Sequence, residues 1–522
     1  MIAHAPADMY LAQSISGLAA QALNEGRSDE GVWIRNGNNI YESYLGALCN
    51  RLKLKGRGTF TTWELVNRFR KSGIIKGYIL YDLKKGDNSI NLATIQAGLK
   101  QAILISESQE ANAKVMELPM LFDARHASLD LTFFEEVKSL IHPGLLVISN
   151  PEVPNNRDYA IAHKSFVYYG VDSLLEYVLK SMPPLSTVIG WNKGDEFKHI
   201  SVCTLWGHIN TVSDYCLNLP MLSLSENYIV KPLKSLDPRT IQWNKSTPAY
   251  TSFVMSDGDN MQWTMNQFMQ SKEYWANDFN KDLKMGFTTC VNSLLLGAPD
   301  VFSELRRTQP ALSSVVEYGG GYYYPDLFAK KRSDRWDLLR QFAVRLNNSM
   351  KLSGIKVLGL ICRNVNSEDS KKAFRIFAEE IETLTGIIAV QYSPYNGGNG
   401  ELYWTFNRQG IAIPILTAKY QLWANLNKPG SGNPEKIASL INSESNNAHT
   451  WTIVHAWSRF NKDADGSIND VPKGSKNGMR GVTPVHWISK LLNKNVSVVS
   501  IEELLWRVRM EHHKEQTLQF IK

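Results

Sequence analysis

The stretch SSVVEYGGGYYYP, Ser313–Pro325, decides how the chain is read. SSVVEY is a short apolar run of the kind that forms a buried strand, and Gly319–Gly321 let the backbone leave it through conformations barred to residues with a Cβ. Pro325 fixes the far end of the loop.

Working outward, similar runs recur on both sides. YTSFVMS and LKMGFTTC precede it, and IKVLGLIC, IIAVQYS, IAIPILTA, TWTIVHAW and VSVVS follow it. Most are separated by amphipathic helical stretches such as DRWDLLRQFAVRL and SKKAFRIFAEEIETL. Strands with helical crossovers in this number predict an α/β fold whose C-terminal part is a (β/α)8-type barrel, an open doubly wound sheet being the alternative. That domain is expected over residues 239–522.

Upstream, the pattern predicts small α/β subdomains over residues 1–75, 76–155 and 156–238. The first pairs the helical MYLAQSISGLAAQALNEG with a short strand GVWI and a capped helix from TTWELVNRF; the second is built on YILYD and ATIQAGLKQAILI. The third runs through SLLEYVLKSM and TVIGW, and PEVPNNRD and KSLDPRT have the composition of junctions.

Bulk properties narrow the function classes. The charge of +7 is spread over 57 basic and 50 acidic residues, and the densest basic patches, RLKLKGR and KKRSDR, are short, so no nucleic-acid partner is expected. No apolar run approaches the ~18 residues of a membrane span, and no membrane insertion is expected. Five scattered cysteines without CxxC spacing support neither a disulfide framework nor a zinc ribbon. The first ten residues lack the basic and apolar regions of a leader, which leaves a cytoplasmic chain or a missing leader. Oligomeric state is not legible.

In a barrel the chemistry lies at the carboxyl ends of the strands. Those ends carry Asp257, Asp259 and Asn260 in SDGDN, then Asn292, Glu317, the tyrosine run, Arg363, Tyr395, His455 and Trp457. Paired carboxylates are what glycosidic cleavage needs, and aromatic faces with Asn, Arg and His side chains suit a sugar, so a carbohydrate substrate is expected. Asp257 or Asp259 with Glu317 would supply acid and base or nucleophile. At a strand spacing of ~4.8 Å, a carboxylate separation of either ~5 or ~9 Å is reachable, so retention and inversion both stay open. Asn260, Asn292, Gly319, Gly321, Tyr322, Tyr324, Arg363, Tyr395, His455 and Trp457 are the expected substrate contacts. The competing readings are a helix-capping turn for SDGDN, a packing cluster for the tyrosines and a core residue for His455.

The pattern Gly319-x-Gly321-Tyr322-x-Tyr324-Pro325 resembles the signature of the GxGYxYP family, a group of proposed glycoside hydrolases. GYILYD, the DxR of Asp123 and Arg125, GWNKGDE, NLPMLS and SDGDN are similar to other stretches of that family. The resemblance implies three small N-terminal subdomains, a catalytic-type C-terminal domain, and an extracellular or periplasmic bacterial protein with a leader, which this chain does not begin with.

Weaker signals remain. Asn461–Asn469 has calcium-loop spacing with Pro472 where a glutamate belongs, so a structural calcium is a minor expectation and no other cofactor or metal is expected. Trp191, Asp195, Glu196 and His208 could extend a cleft, or be core and solvated surface. Two alternative functions stand beside the hydrolase: a non-catalytic glycan-binding protein, and a metal-dependent polysaccharide deacetylase. The latter lacks an HxxxH among 11 histidines.

Overall fold

The structure, a computed structural model, describes residues 6–35, 37–83, 88–243 and 249–521. The chain divides into two compact units, Met1–Ile229 with Ser293–Phe302, and Val230–Asn292 with Ser303–Lys522.

The first unit holds two parallel sheets. One has the order β2-β1-β3, from β1 (Gly77–Tyr81), β2 (Ala102–Ser106) and β3 (Met120–Asp123). The other has the order β5-β4-β6-β7, from β4 (Leu145–Ile148), β5 (Phe166–Tyr168), β6 (Thr187–Gly190) and β7 (Ile209–Thr211). Three of the expectations for this region change. Gly31–Ile34 is not a strand: the Asn218 side chain occupies its backbone instead, accepting from Ile34 N at 2.7 Å and donating to Ile34 O at 2.9 Å. Residues 1–75 are not a separate α/β subdomain, because the described part is helical and Tyr10, Leu11, Ile15 and Leu18 of the helix Pro6–Asn24 share one apolar core with β1 and β2. The boundary at residue 155 also moves, since β4 pairs with β5 and β6 and so belongs to the later sheet.

Within this unit the family-like stretches have structural roles. Asp123 and Arg125 form an ion pair at 2.7 Å, Asp195 caps the helix Glu196–Leu205, and His208 is buried with Nε2 against Leu179 O at 2.7 Å.

The second unit is organised by one large curled sheet. Its strands are β8 (Ala249–Met255), β9 (Met285–Thr289), β10 (Ser314–Tyr318), β11 (Val357–Cys362), β12 (Gly386–Gln391), β13 (Leu402–Phe406), β14 (Ala412–Thr417), β15 (Tyr420–Leu422), β16 (Ser431–Gly432) and β17 (His449–Val454). They follow the path β13-β14-β12-β11-β10-β9-β8-β17-β15-β16. A small hairpin of β18 (Phe460–Lys462) and β19 (Ile468–Asp470) stands apart, and β20 (Val496–Val498) adds to β8. The eight expected strands are all present, but the eight-membered ring is not. β17 runs along one edge of β8 from Tyr250 to Met255. The other edge is shared end to end, Ala249–Thr251 taking β20 and Phe253–Met255 taking β9. The three-residue β20 therefore sits in line with β9, not as a full member between β17 and β8. The arms of the curl meet on one stretch of chain: Ile415–Thr417 pairs with β12, and after two intervening residues β15 pairs with β17.

Candidate functional site

The carboxyl ends of β8, β12, β15 and β17 gather one group of side chains. Asp257 leaves β8 with φ +66°, a left-handed conformation that costs a non-glycine residue of order 1–3 kcal/mol and concentrates at functional sites. The turn that imposes it is pinned from behind. Gly258 N donates to Thr288 Oγ1 at 2.9 Å, Thr288 Oγ1 donates to Met255 O at 2.7 Å, and a Cβ on Gly258 would lie 2.0 Å from the Thr288 carbonyl. Asn260 then closes the turn by accepting from Trp263 N at 3.2 Å, so its expected substrate contact gives way to the cap.

Asp257 is half-buried, with Trp457 Nε1 donating to Oδ1 at 2.7 Å and Ser256 Oγ bonded to Oδ2. Trp457 is 38% exposed and packs on Trp263 at 5.2 Å between centroids. Arg480 lies 5.4 Å from the Trp457 ring. His455 bonds Ser458 Oγ through Nδ1 at 2.8 Å and stacks on Trp423 with centroids 3.7 Å apart and planes 8° apart. Burial lowers the His455 pKa below its ordinary value while the Asp257 charge acts the other way. Trp423 meets Tyr395 edge-on at 5.3 Å, and Tyr392 carries the row on to Arg363, whose guanidinium is 5.5 Å from its ring. The outcome is a carboxylate with an aromatic row beside it, the pairing of groups that polarises a bond and stacks on a sugar face.

Trp423 was not among the expected residues. The run IAIPILTA reads as a strand ending near Lys419, whereas the chain re-forms as β15 and brings Trp423 to the rim, and the run YQLW was the available signal.

The other expected residues lie inside. Glu317 is fully buried; Oε2 accepts from Asn292 N at 2.9 Å and Oε1 from Gly320 N at 3.1 Å. Burial pushes its pKa up to about 8, against the lowering effect of those backbone donors. Asn292 is equally engaged, donating to Gly320 O at 3.1 Å and accepting from Ser349 Oγ at 2.6 Å. Gly319, Gly320 and Gly321 have φ of +74°, +78° and +139°, as the glycine run requires, but the loop turns inward. Tyr322, Tyr323 and Tyr324 are buried, Tyr322 edge-on to Tyr324 at 5.8 Å and Tyr323 against Phe342 at 5.4 Å on the helix Arg335–Ser353. The sugar platform expected at Tyr322 and Tyr324 is thus a packing cluster, with Tyr324 backing the rim at Tyr392, 5.6 Å away. Asp326, unremarked in the sequence, ties the loop to β11 by accepting from Arg363 N and Asn364 N, each at 2.9 Å.

Asp259 is 9% exposed and lines a cavity of about 10 Å³ with Tyr318, Gly319, Gly321 and Tyr322, space for roughly one water. The structure therefore separates the expected carboxylates: Asp257 at the rim, Asp259 and Glu317 behind it.

Asn461–Asn469 spans the β18–β19 hairpin, whose tip is closed by its own bonds, Ser467 Oγ to Asp465 at 2.7 Å and Asn469 Nδ2 to Asp463 at 2.8 Å. Among the described residues no three His, Cys, Asp or Glu side chains cluster as a metal-ligand set, and no helix is long and apolar enough to cross a membrane.

Three family models match the chain. Residues 248–509 match the "GxGYxYP putative glycoside hydrolase C-terminal domain", 145–224 the "GxGYxYP third domain" and 75–136 the "GxGYxYP_N second domain". The chain belongs to the GxGYxYP family. The third-domain match begins where β4 does. The crystal structure of a "putative hydrolase" from Bacteroides thetaiotaomicron VPI-5482 is similar, with a TM-score of 0.79 and 20% identity over 98% of this chain and 94% of that one. At that identity the likeness establishes a shared fold. No curated protein matches the chain. In this GxGYxYP protein the residues that name the family form the buried brace, and the outward-facing groups lie on neighbouring strands.

Proposed function

We propose that this protein is a glycoside hydrolase acting on a poly- or oligosaccharide at the Asp257 rim. The observation that carries the reading is Asp257 itself, a half-buried carboxylate in a left-handed turn, oriented by Trp457 and Ser256 and flanked by the stacked Trp423–His455 pair. The family description and the hydrolase fold relative support it. In this reading Asp257 takes the proton of the water that attacks the anomeric carbon, or attacks that carbon itself, and His455 in its protonated form, which the Asp257 charge favours, gives its proton to the leaving oxygen as the glycosidic bond breaks. Tyr395, Trp423 and Trp457 hold the sugar rings, and Asp259 lies buried behind them.

The test is incubation with a panel of bacterial, plant and host polysaccharides, with mass spectrometry for new reducing ends. The reading expects new ends, reduced by roughly 10²–10⁴ in Asp257→Asn without loss of fold, the usual range for removing an acid–base group. Oligosaccharide binding without products in the wild type would replace the hydrolase with a glycan-binding protein. Release of acetate in place of new ends would replace it with a deacetylase.

A further inference from the structure

At the opposite ends of the parallel strands, before β11, β12 and β14 begin, the second unit has a cavity of about 580 Å³, within the ~300–1,000 Å³ range of small-molecule sites. This end of such a sheet ordinarily serves stability alone. Two features of the cavity do not fit that role.

The first is its charge. Asp237 on the wall is paired with Arg239 at 2.6 Å, and Glu382 with Lys351 at 2.9 Å, whereas Lys356 on the same wall makes no ion pair among the described residues and acts on the Asp237 and Glu502 carboxylates only through space. The second is its donors. Arg509 is 2% exposed, and both its Nη2 and the Trp506 Nε1 have no hydrogen-bond partner. The guanidinium lies between two rings, 4.5 Å from Trp506 and 4.9 Å from Phe520, and its only protein acceptor among the described residues is Thr385 O, 3.5 Å from Nη1. Burial lowers the Arg509 pKa to about 10, as for a cation without a counter-ion. An unpaired buried charge is costly, and apolar replacement of such a group is commonly neutral or stabilising. Two buried donors without a protein acceptor, beside a lysine that makes no ion pair among the described residues, ask for oxygens from outside.

We propose that this cavity binds a small organic carboxylate. One carboxylate oxygen takes Arg509 Nη2 and the other Trp506 Nε1, Lys356 adds the second positive charge, and the apolar body lies on Leu384, Ile411 and Ile413. Phe520 is 42% exposed on the last helix, Lys514–Ile521, and covers the guanidinium, so the ligand enters by displacing that ring. A phosphate dianion fits less well, because the Asp237 and Glu382 carboxylates on the same wall repel its second negative charge. The site is separate from the Asp257 rim and does not depend on the reaction assigned there.

Isothermal calorimetry on the full chain tests it, with benzoate as probe, benzyl alcohol as neutral isostere and inorganic phosphate as alternative anion. Benzoate should bind one to one and benzyl alcohol should not. Lys356→Met should weaken benzoate about tenfold, the range for losing one charged partner. Arg509→Met should abolish binding while its melting temperature stays level or rises; if that variant does not fold, Lys356→Met carries the test. Absence of benzoate binding, equal binding of the alcohol, binding of phosphate in place of benzoate, or benzoate affinity unchanged in Lys356→Met would each overturn the assignment.

Discussion

Two strand ends in the curled sheet look alike in the sequence and behave differently in the fold. After β10 come Glu317, three glycines and three tyrosines; after β8 and β17 come Asp257, His455 and Trp457. Both offer a carboxylate beside aromatics. At β10 the carboxylate is consumed by backbone N–H groups and the rings by packing, while at β8 one carboxylate stays half-exposed beside an exposed indole. A motif can define a family and yet lie buried in its fold. What distinguishes the two is whether the polar atoms already have protein partners.

The consequences can be ranked by size. Glu317→Ala leaves the N–H groups of Asn292 and Gly320 buried without acceptors, at about 1–3 kcal/mol each, and opens a cavity besides. Thermal denaturation should show a loss of several kcal/mol or no folded protein; a melting temperature near wild type would mean that the brace is dispensable. Next is the pH dependence. The folded pKa of Glu317 is raised to about 8 from an ordinary 4.5, so the folded state holds this proton where the unfolded chain has released it. Its contribution is full below about pH 4.5 and is lost as pH rises through 8. The stability gap between wild type and Glu317→Gln should therefore narrow over that interval in denaturant titrations, and a constant gap would contradict the buried protonated carboxyl.

At the rim, Trp423→Ala removes a ring face worth about 0.5–1.5 kcal/mol, so on any substrate found KM should rise roughly 3–10-fold while kcat changes less. The smallest effect belongs to the tyrosine run. The Tyr323 hydroxyl is buried without a hydrogen-bond partner, so Tyr323→Phe should be neutral or stabilising by up to ~1 kcal/mol and leave turnover intact. A clear loss of activity would move this ring back into the site.

The sequence carried eight of the curled sheet's strands, because buried parallel strands read as apolar runs between amphipathic helices, and it did not carry the short β15 and β16 or the antiparallel β13. It did not carry ring closure, which turns on β20 falling in line with β9 on one edge of β8, a matter of register rather than composition. The rim was half legible. Asp257, Tyr395, His455 and Trp457 followed from their places after strands. Glu317 was misplaced because all five residues of β10 are buried, so alternation gives no outward face. Trp423 was missed because Ala418–Lys419 interrupt the strand that delivers it.

The most direct measurement is product release per folded molecule for Asp257→Asn and Tyr323→Phe, side by side on the same polysaccharide. The account predicts a loss of at least about 100-fold in the first and wild-type turnover in the second. Wild-type turnover in Asp257→Asn with a large loss in Tyr323→Phe would place the reaction in the glycine–tyrosine loop and contradict the account.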